Sequence, residues 1–259
     1  MKPEVSIVKI GGALLEDPDQ VDGFCRDFAA LKGAKVLVHG GGRKASELSE
    51  RLGITPRMID GRRITDGPSL EVAVMVYAGW ANKSLVAKLQ ALECRAIGMS
   101  GADADLIRAS KRPVREIDYG FVGDVERVNS QTLTTLLEAG WVPVCCALTH
   151  DGNGQLLNTN ADTIAAELAI ALGQHYNARL YYCFEKAGVL LDVNDPDSLI
   201  PRLDREACQR LTESGQIAAG MLPKLHNCFQ ALDKGVRQVF VGPPSQIRPS
   251  AETYTEIAL

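Results

Sequence analysis

Short β-branched runs alternate with stretches of helical periodicity along most of the chain, and this alternation constrains the fold more than any other feature. VSIVKI (5–10), AKVLVHG (34–40), CRAIGMS (94–100), WVPVCCAL (141–148), ARLYYCF (178–184) and VRQVFVG (236–242) read as strands, CRAIGMS as a third core strand inside the sheet. Runs this apolar suit a largely parallel sheet with helices on both faces. Between them, Asp17 as N-cap and Pro18 at the first helical position open a helix over 18–31. A helix over 43–52 places Ala45, Leu48 and Leu52 on one face, and a long helix is expected over 69–92. Further helices are expected over 130–139, 161–173, 204–214 and up to about 234, with Ile164, Leu168 and Leu172 striping the second of these. RMIDGRRIT (57–65) reads as a hairpin turning at Asp60-Gly61, and 107–128 as short strands with turns. Residues 190–204 are the most loop-like stretch, and no internal repeat is visible.

Composition narrows the function classes. With 259 residues the chain can bury the core of one large domain or two modest lobes. A net charge of −4 argues against nucleic acid or an anionic membrane as partner. The basic pairs Arg62-Arg63 and Lys111-Arg112 read as solvated surface. Seven cysteines, an odd number without CxxC spacing, point to reduced thiols that pack as small hydrophobes, with no metal site among them. Glu4 and Lys9 break any signal-peptide core and no apolar run reaches membrane-spanning length, so a cytoplasmic protein is expected.

The chemistry begins with Lys9, a charge inside an otherwise apolar strand. Burying an ammonium without an anionic partner is costly, so a partner should exist. Gly11-Gly12 follow that strand, and Gly40-Gly41-Gly42 follow the next, just before a helix. Ligands in open α/β sheets lie outside the C-terminal strand ends. Glycine loops there expose backbone N–H groups, and a helix N-terminus adds its positive end, so both clusters suit phosphate or carboxylate. No GxxxxGK[ST] loop is present. Residues 40–45 do satisfy G-x-G-x-x-A with Asp60 downstream, but that aspartate sits in a turn, which leaves a dinucleotide-binding dehydrogenase only a distant competitor. In NTNAD (158–162), Asn158, Asn160 and Asp162 alternate toward one side, although Asn160 as N-cap and Asp162 in a first helical turn would also explain two of them. In AAGMLPK (218–224), Pro223 starts a helix and Lys224 sits in its first turn, where a cation is mildly unfavourable. Two lysines, one bridging carboxylate and oriented amides form a kit for phosphoryl transfer, which depends on positioning and charge stabilisation.

VKIGGALL, VLVHGGGRKASELSERLG, DGRRITD, LLNTNADTIAAELA and GMLPK, in this order and spacing, resemble the amino acid kinase family across essentially the whole chain. The resemblance implies a three-layer αβα sandwich, with an N-terminal lobe (1–175) for an acylamino acid and a C-terminal lobe (176–259) for ATP. It implies ATP- and Mg²⁺-dependent phosphorylation of the γ-carboxylate of N-acetyl-L-glutamate in arginine biosynthesis, with N-succinyl-L-glutamate as an alternative acceptor. Matching the motifs, Lys9 would contact the transferring phosphoryl group, Lys224 the charge on the ADP side, and Asp162 would orient both lysines. Gly41 and Gly42 would donate amides to substrate and transition state, Arg63 would pair with the α-carboxylate, and Asn158, with Asn160 beside it, would bind the acylamino group. Gly11 and Gly12 would hold ATP phosphates, and Glu185, Lys186, Gly188 and Val189 belong to the nucleotide segment. That segment departs from the family, whose usual Thr/Ser-Asp is replaced by Phe184-Glu185-Lys186, so the purine pocket is expected to be altered. Because Lys9 lies within ten residues of Met1, the N-terminal helix of arginine-inhibited hexamers has no room, which implies an arginine-insensitive homodimer. A non-catalytic nucleotide-binding regulator or storage protein on the same fold is the reading from another class; it would be expected to lose Lys9, Asp162 or Lys224.

Overall fold

A computed structural model describes residues 2–59, 62–192, 194–195, 197–217 and 219–259. The first half contains β1 (Glu4–Ile10), α1 (Pro18–Ala30), β2 (Ala34–His39), α2 (Gly42–Arg51), the hairpin β3 (Arg57–Ile59) and β4 (Arg62–Ile64), α3 (Gly67–Ala73) and α4 (Asn82–Gln90). It continues with β5 (Ala96–Met99), β6 (Ile107–Lys111), β7 (Gly123–Val128), α5 (Ser130–Glu138), β8 (Val142–Cys146), β9 (Leu148–His150) and β10 (Leu156–Asn158). The rest comprises α6 (Ala161–Gly173), β11 (Asn177–Cys183), β12 (Arg202–Leu203), α7 (Arg205–Glu213), α8 (Leu222–Asp233), β13 (Gln238–Gly242) and β14 (Thr255–Ile257).

The main sheet runs β12-β14-β13-β11-β1-β2-β8-β5 and is parallel except where β14 pairs antiparallel with β13. β1 lies inside it, with Lys9 in register between Val38 of β2 and Tyr182 of β11. Alternation along β1 feeds two cores. Val5 and Ile7 join Leu133, Ile164, Leu168 and Phe229 under α5, α6 and α8, whereas Val8 and Ile10 join Phe24, Phe28, Leu85 and Leu89 under α1 and α4. The result is the expected α/β three-layer sandwich. A smaller sheet, β10-β9-β6-β7, sits over the N-terminal half, with a third cluster of Ala45, Leu70, Ala73, Tyr77 and Leu148 beneath it.

Local signals place the helix starts. Asp17 accepts from the Asp19 and Gln20 N–H groups ahead of Pro18, as the capping pattern requires. Ile164, Leu168 and Leu172 are fully buried, as their spacing predicts. Three expectations need correction. Leu52 does not join the apolar face of α2; it follows the last helical turn at 55% exposure, while Ser49 occupies the buried position. The long helix is continuous but π-wound over Val74–Ala81, between α3 and α4. CRAIGMS supplies the edge strand β5, not an interior one. The β3–β4 hairpin forms as expected, although its Asp60-Gly61 turn lies outside the described residues, as does Ala218 ahead of Lys224.

Candidate active site

The lysine in β1 meets a carboxylate shared with a second lysine. Lys9 Nζ lies 2.7 Å from Asp162 Oδ1, and Lys224 Nζ lies 2.7 Å from Asp162 Oδ2. Three elements converge to build this: the C-terminal end of β1 and the first turns of α6 and α8. Asn160 caps α6, its Oδ1 accepting from the Asp162 N–H at 2.7 Å and the Thr163 N–H at 3.2 Å, which fixes the turn carrying Asp162. Tyr182 donates its hydroxyl to the Asp162 carbonyl oxygen at 2.9 Å and places its ring 5.1 Å from Lys224 Nζ. Burial alone would raise the Asp162 pKa, but the two ammonium groups outweigh it and hold the carboxyl well below the usual range. Burial lowers the Lys9 pKa; Asp162 opposes that shift and the like charge of Lys224 adds to it.

A comparison inside the same chain shows what a purely structural buried lysine looks like. Lys35 ends on the Phe28, Ala29 and Leu31 carbonyl oxygens at 2.7–2.9 Å, closing the C-terminal turn of α1. Lys9 instead lines a cavity of about 430 Å³, together with Gly40, Gly41, Gly42, Arg63, Asn158 and Asp162. That volume fits a small-molecule site.

The two glycine loops face each other beside this cavity, which Gly40, Gly41 and Gly42 line and Gly11 and Gly12 do not. A Cβ on Gly12 would fall 3.4 Å from the Gly42 nitrogen and 3.6 Å from the Gly41 nitrogen, so a side chain there would cover both amides. A Cβ on Gly41 would fall 2.9 Å from Tyr77 Cδ1, which only glycine avoids. Gly11 is not crowded in this way, its nearest approach being 4.0 Å from the Cys183 carbonyl oxygen.

The remaining candidates divide into two groups. Arg63 is 7% exposed, and its Nη2 donates to the Gly42 carbonyl oxygen and Ser46 Oγ, both at 2.7 Å. Asn158 is buried and donates through Nδ2 to Thr65 Oγ1 at 2.9 Å. Buried Arg63 and half-buried Arg112 line the cavity, which corrects their reading as solvated surface, whereas Arg62 lines it while exposed and Lys111 is exposed as read. Sequence reasoning passed over Tyr77, Ser46 and Asp124, whose Oδ1 accepts from Arg112 Nε at 3.0 Å. No local pattern marks these residues; they reach the site through the π-wound segment, α2 and the β6–β7 pair. The nucleotide segment lies apart from the cavity lining. Glu185 and Lys186 are exposed, with Glu185 Oε1 4.0 Å from Arg43 Nη2. Gly188 is packed so closely that a Cβ would fall 2.5 Å from Thr255 Oγ1, and Val189 is buried with its N–H donated to that hydroxyl at 2.8 Å.

Among the described residues no three His, Cys, Asp or Glu side chains cluster as a metal cage. Asp124 and Asp162 line the cavity, but both are held by basic groups. A divalent cation here fits only as a companion of phosphate oxygens and water.

The sequence pattern of the amino acid kinase family matches residues 4–243. An acetylglutamate kinase of Parabacteroides distasonis is 52% identical over 247 residues, covering 95% of this chain and 97% of that protein. The chain belongs to the amino acid kinase family. An acetylglutamate kinase of Bacteroides fragilis is 50% identical over 253 residues, covering 98% of this chain and 97% of its own length. The family fold is also that of a Giardia lamblia carbamate kinase bound to AMP-PNP, with a TM-score of 0.72, 13% identity and coverage of 99% and 98% of the two chains. Membership excludes the dinucleotide-binding dehydrogenase as the meaning of Gly40–Ala45.

Proposed function

We propose that this amino acid kinase family member is a phosphotransferase that moves the γ-phosphoryl group of ATP to the γ-carboxylate of N-acetyl-L-glutamate, a step of arginine biosynthesis. The observation that carries the proposal is Asp162 held between Lys9 and Lys224 beside two facing glycine loops. Relatives near 50% identity over almost the whole chain are named acetylglutamate kinases, which favours the acetyl acceptor over the succinyl one. Retention of Lys9, Asp162 and Lys224 argues against a non-catalytic regulator or storage role.

In the proposed reaction a γ-carboxylate oxygen attacks the γ-phosphorus, the bond from phosphorus to the β,γ-bridging oxygen breaks, and ADP leaves with that electron pair. The attacking carboxylate is ionised at neutral pH, so no side-chain base is needed. Lys9 neutralises the phosphoryl oxygens in transit and Lys224 the charge gathering on the ADP side. Asp162 keeps the two ammonium groups close without allowing either to fold away. The Gly41 and Gly42 amides, and Gly12 opposite, cradle the phosphoryl group, with Gly11 following the phosphate chain. Arg63 is assigned the α-carboxylate, and Asn158 and Asn160 the acylamino group. Mg²⁺ brought in with ATP would supply charge neutralisation on the phosphates.

The N-terminal half (1–175) is assigned to the acylamino acid and the C-terminal half (176–259) to ATP, with Glu185, Lys186, Gly188 and Val189 around the purine. Exposed Met75 and Trp80 on the π-wound segment support a homodimer, which sizing by light scattering tests. Seven free cysteines support the cytoplasm as its compartment, and no helix among the described residues is long and apolar enough to cross a membrane. The reaction is tested by coupled detection of ADP: formation should require N-acetyl-L-glutamate and ATP together, and no ADP above the no-acceptor background would refute it.

A further inference from the structure

Behind the β2 glycine loop lies a buried polar chain that the proposed phosphoryl transfer leaves unused. His39, the last residue of β2, is fully buried, and its Nδ1 lies 2.8 Å from the Gly40 carbonyl oxygen. Its Nε2 lies 3.0 Å from Nδ2 of Asn82, itself buried at the start of α4. The other neighbours of that amide decide its orientation. Asn82 Nδ2 donates to the Val144 carbonyl oxygen at 2.8 Å, and Oδ1 accepts from Lys83 Nζ at 3.2 Å. A flipped amide would set oxygen against oxygen at Val144. Nδ2 therefore donates to Nε2 as well, Nε2 accepts, and the ring proton sits on Nδ1, where Gly40 receives it. Burial agrees, pulling the His39 pKa down to about 4 and keeping the ring neutral. The chain leaves no room to spare: a Cβ on Gly98 would fall 1.9 Å from Asn82 Oδ1.

The bond to Gly40 acts on the next residue, because the Gly40 carbonyl shares a peptide plane with the Gly41 N–H. In a trans peptide the two point in opposite directions, and no cis peptide occurs among the described residues. Pinning the oxygen to the buried imidazole turns the Gly41 N–H away from it; the Gly41 nitrogen lies opposite Gly12, in the loop whose three glycines line the cavity. A run of glycines has no side chains to fix its own peptide planes, so an outside anchor is required. We propose that His39, locked by Asn82 as its Nδ1–H tautomer, is a positioning residue that aims the Gly41 amide at the transferring phosphoryl group. The target rests on the reaction assigned above; the tautomer rests on geometry alone.

Nitrogen-15 NMR of the imidazole-labelled wild-type protein reads the tautomer without substrate, with the His39 signals assigned by their loss in a His39 variant. The expected result is a neutral ring at pH 6–7 protonated at Nδ1; protonation at Nε2 would overturn the proposal. Kinetics supply the second arm. His39→Asn sets an amide nitrogen near the Nδ1 position and keeps a donor for Gly40, whereas His39→Leu keeps bulk without a donor. His39→Leu should cut kcat about 10- to 100-fold with KM for ATP changed less than about threefold, and His39→Asn should recover kcat to within about fivefold of wild type. Wild-type turnover by His39→Leu, or equal losses in both variants, would contradict the aiming role. Absence of turnover in the wild type would instead sink the assigned reaction, and it is told apart because the tautomer measurement needs no substrate.

Discussion

Asp162→Asn changes a single charge at the point where the site depends on it. Asparagine keeps the shape and one acceptor but removes the anion that holds Lys9 and Lys224, each 2.7 Å from a carboxylate oxygen. The lysine side chains are 12% and 14% exposed, so two ammonium groups would be left facing each other with little water between them. Removing one partner from a buried ion pair costs about 3–5 kcal/mol, and the residual exposure places this site near the lower end, about 3 kcal/mol. For a chain of this length that corresponds to a Tm loss of roughly 6–12 °C. Turnover should fall by about 10²–10³, because each lysine loses the anchor that aims it at the phosphates. ATP offers the lysines a replacement anion, so saturating ATP should raise the Tm of the variant more than that of the wild type. Calorimetry with and without ATP, beside steady-state ADP release, reads all three effects. A variant with wild-type Tm and kcat within threefold of wild type would refute the view that Asp162 organises the two lysines.

Lys9→Ala should lower kcat by about 10²–10³ if the lysine makes one transition-state contact, and near-normal turnover in a folded variant would mark it as structural. Burial lowers the Lys9 pKa and the protonated form is the active one, so activity should be lost as pH rises through that folded value, below the ordinary 10.5; a rate plateau extending to pH 10.5 would contradict this. Gly12→Ala would set a methyl group 3.4 Å from the Gly42 nitrogen and 3.6 Å from that of Gly41. It should reduce kcat/KM for ATP by at least about tenfold while Tm moves by less than about 2 °C, and unchanged kinetics would show that the facing amides do not bind phosphate.

Much of this structure is legible in the sequence because its signals are local. Capping at Asp17, the stripe Ile164-Leu168-Leu172 and the buried strand around Cys145-Cys146 each depend on neighbours within one or two turns. Lys9 is legible for a related reason: a charge in a buried strand requires an anion, and Asp162 answers it. What escaped depends on distant partners. Leu52 fits the helical period of α2 but falls past its last turn, and the π-winding of 74–81 leaves no mark in an apolar run. Arg112 reads as surface until the β6–β7 pairing, with Ser110 opposite Asp124, brings that carboxylate to its guanidinium. His39 reads as one more strand residue; the Gly40 carbonyl oxygen, together with Asn82, 43 residues away, and Val144, reveals which nitrogen carries its proton.

Transfer to a carboxylate, as opposed to water, is decided by trapping the product. With ATP, Mg²⁺ and N-acetyl-L-glutamate in the presence of hydroxylamine, the acyl phosphate should be captured as a hydroxamate in equal amount to the ADP formed. ADP release without hydroxamate would contradict the assignment, because the phosphoryl group would then be going to an acceptor other than the γ-carboxylate.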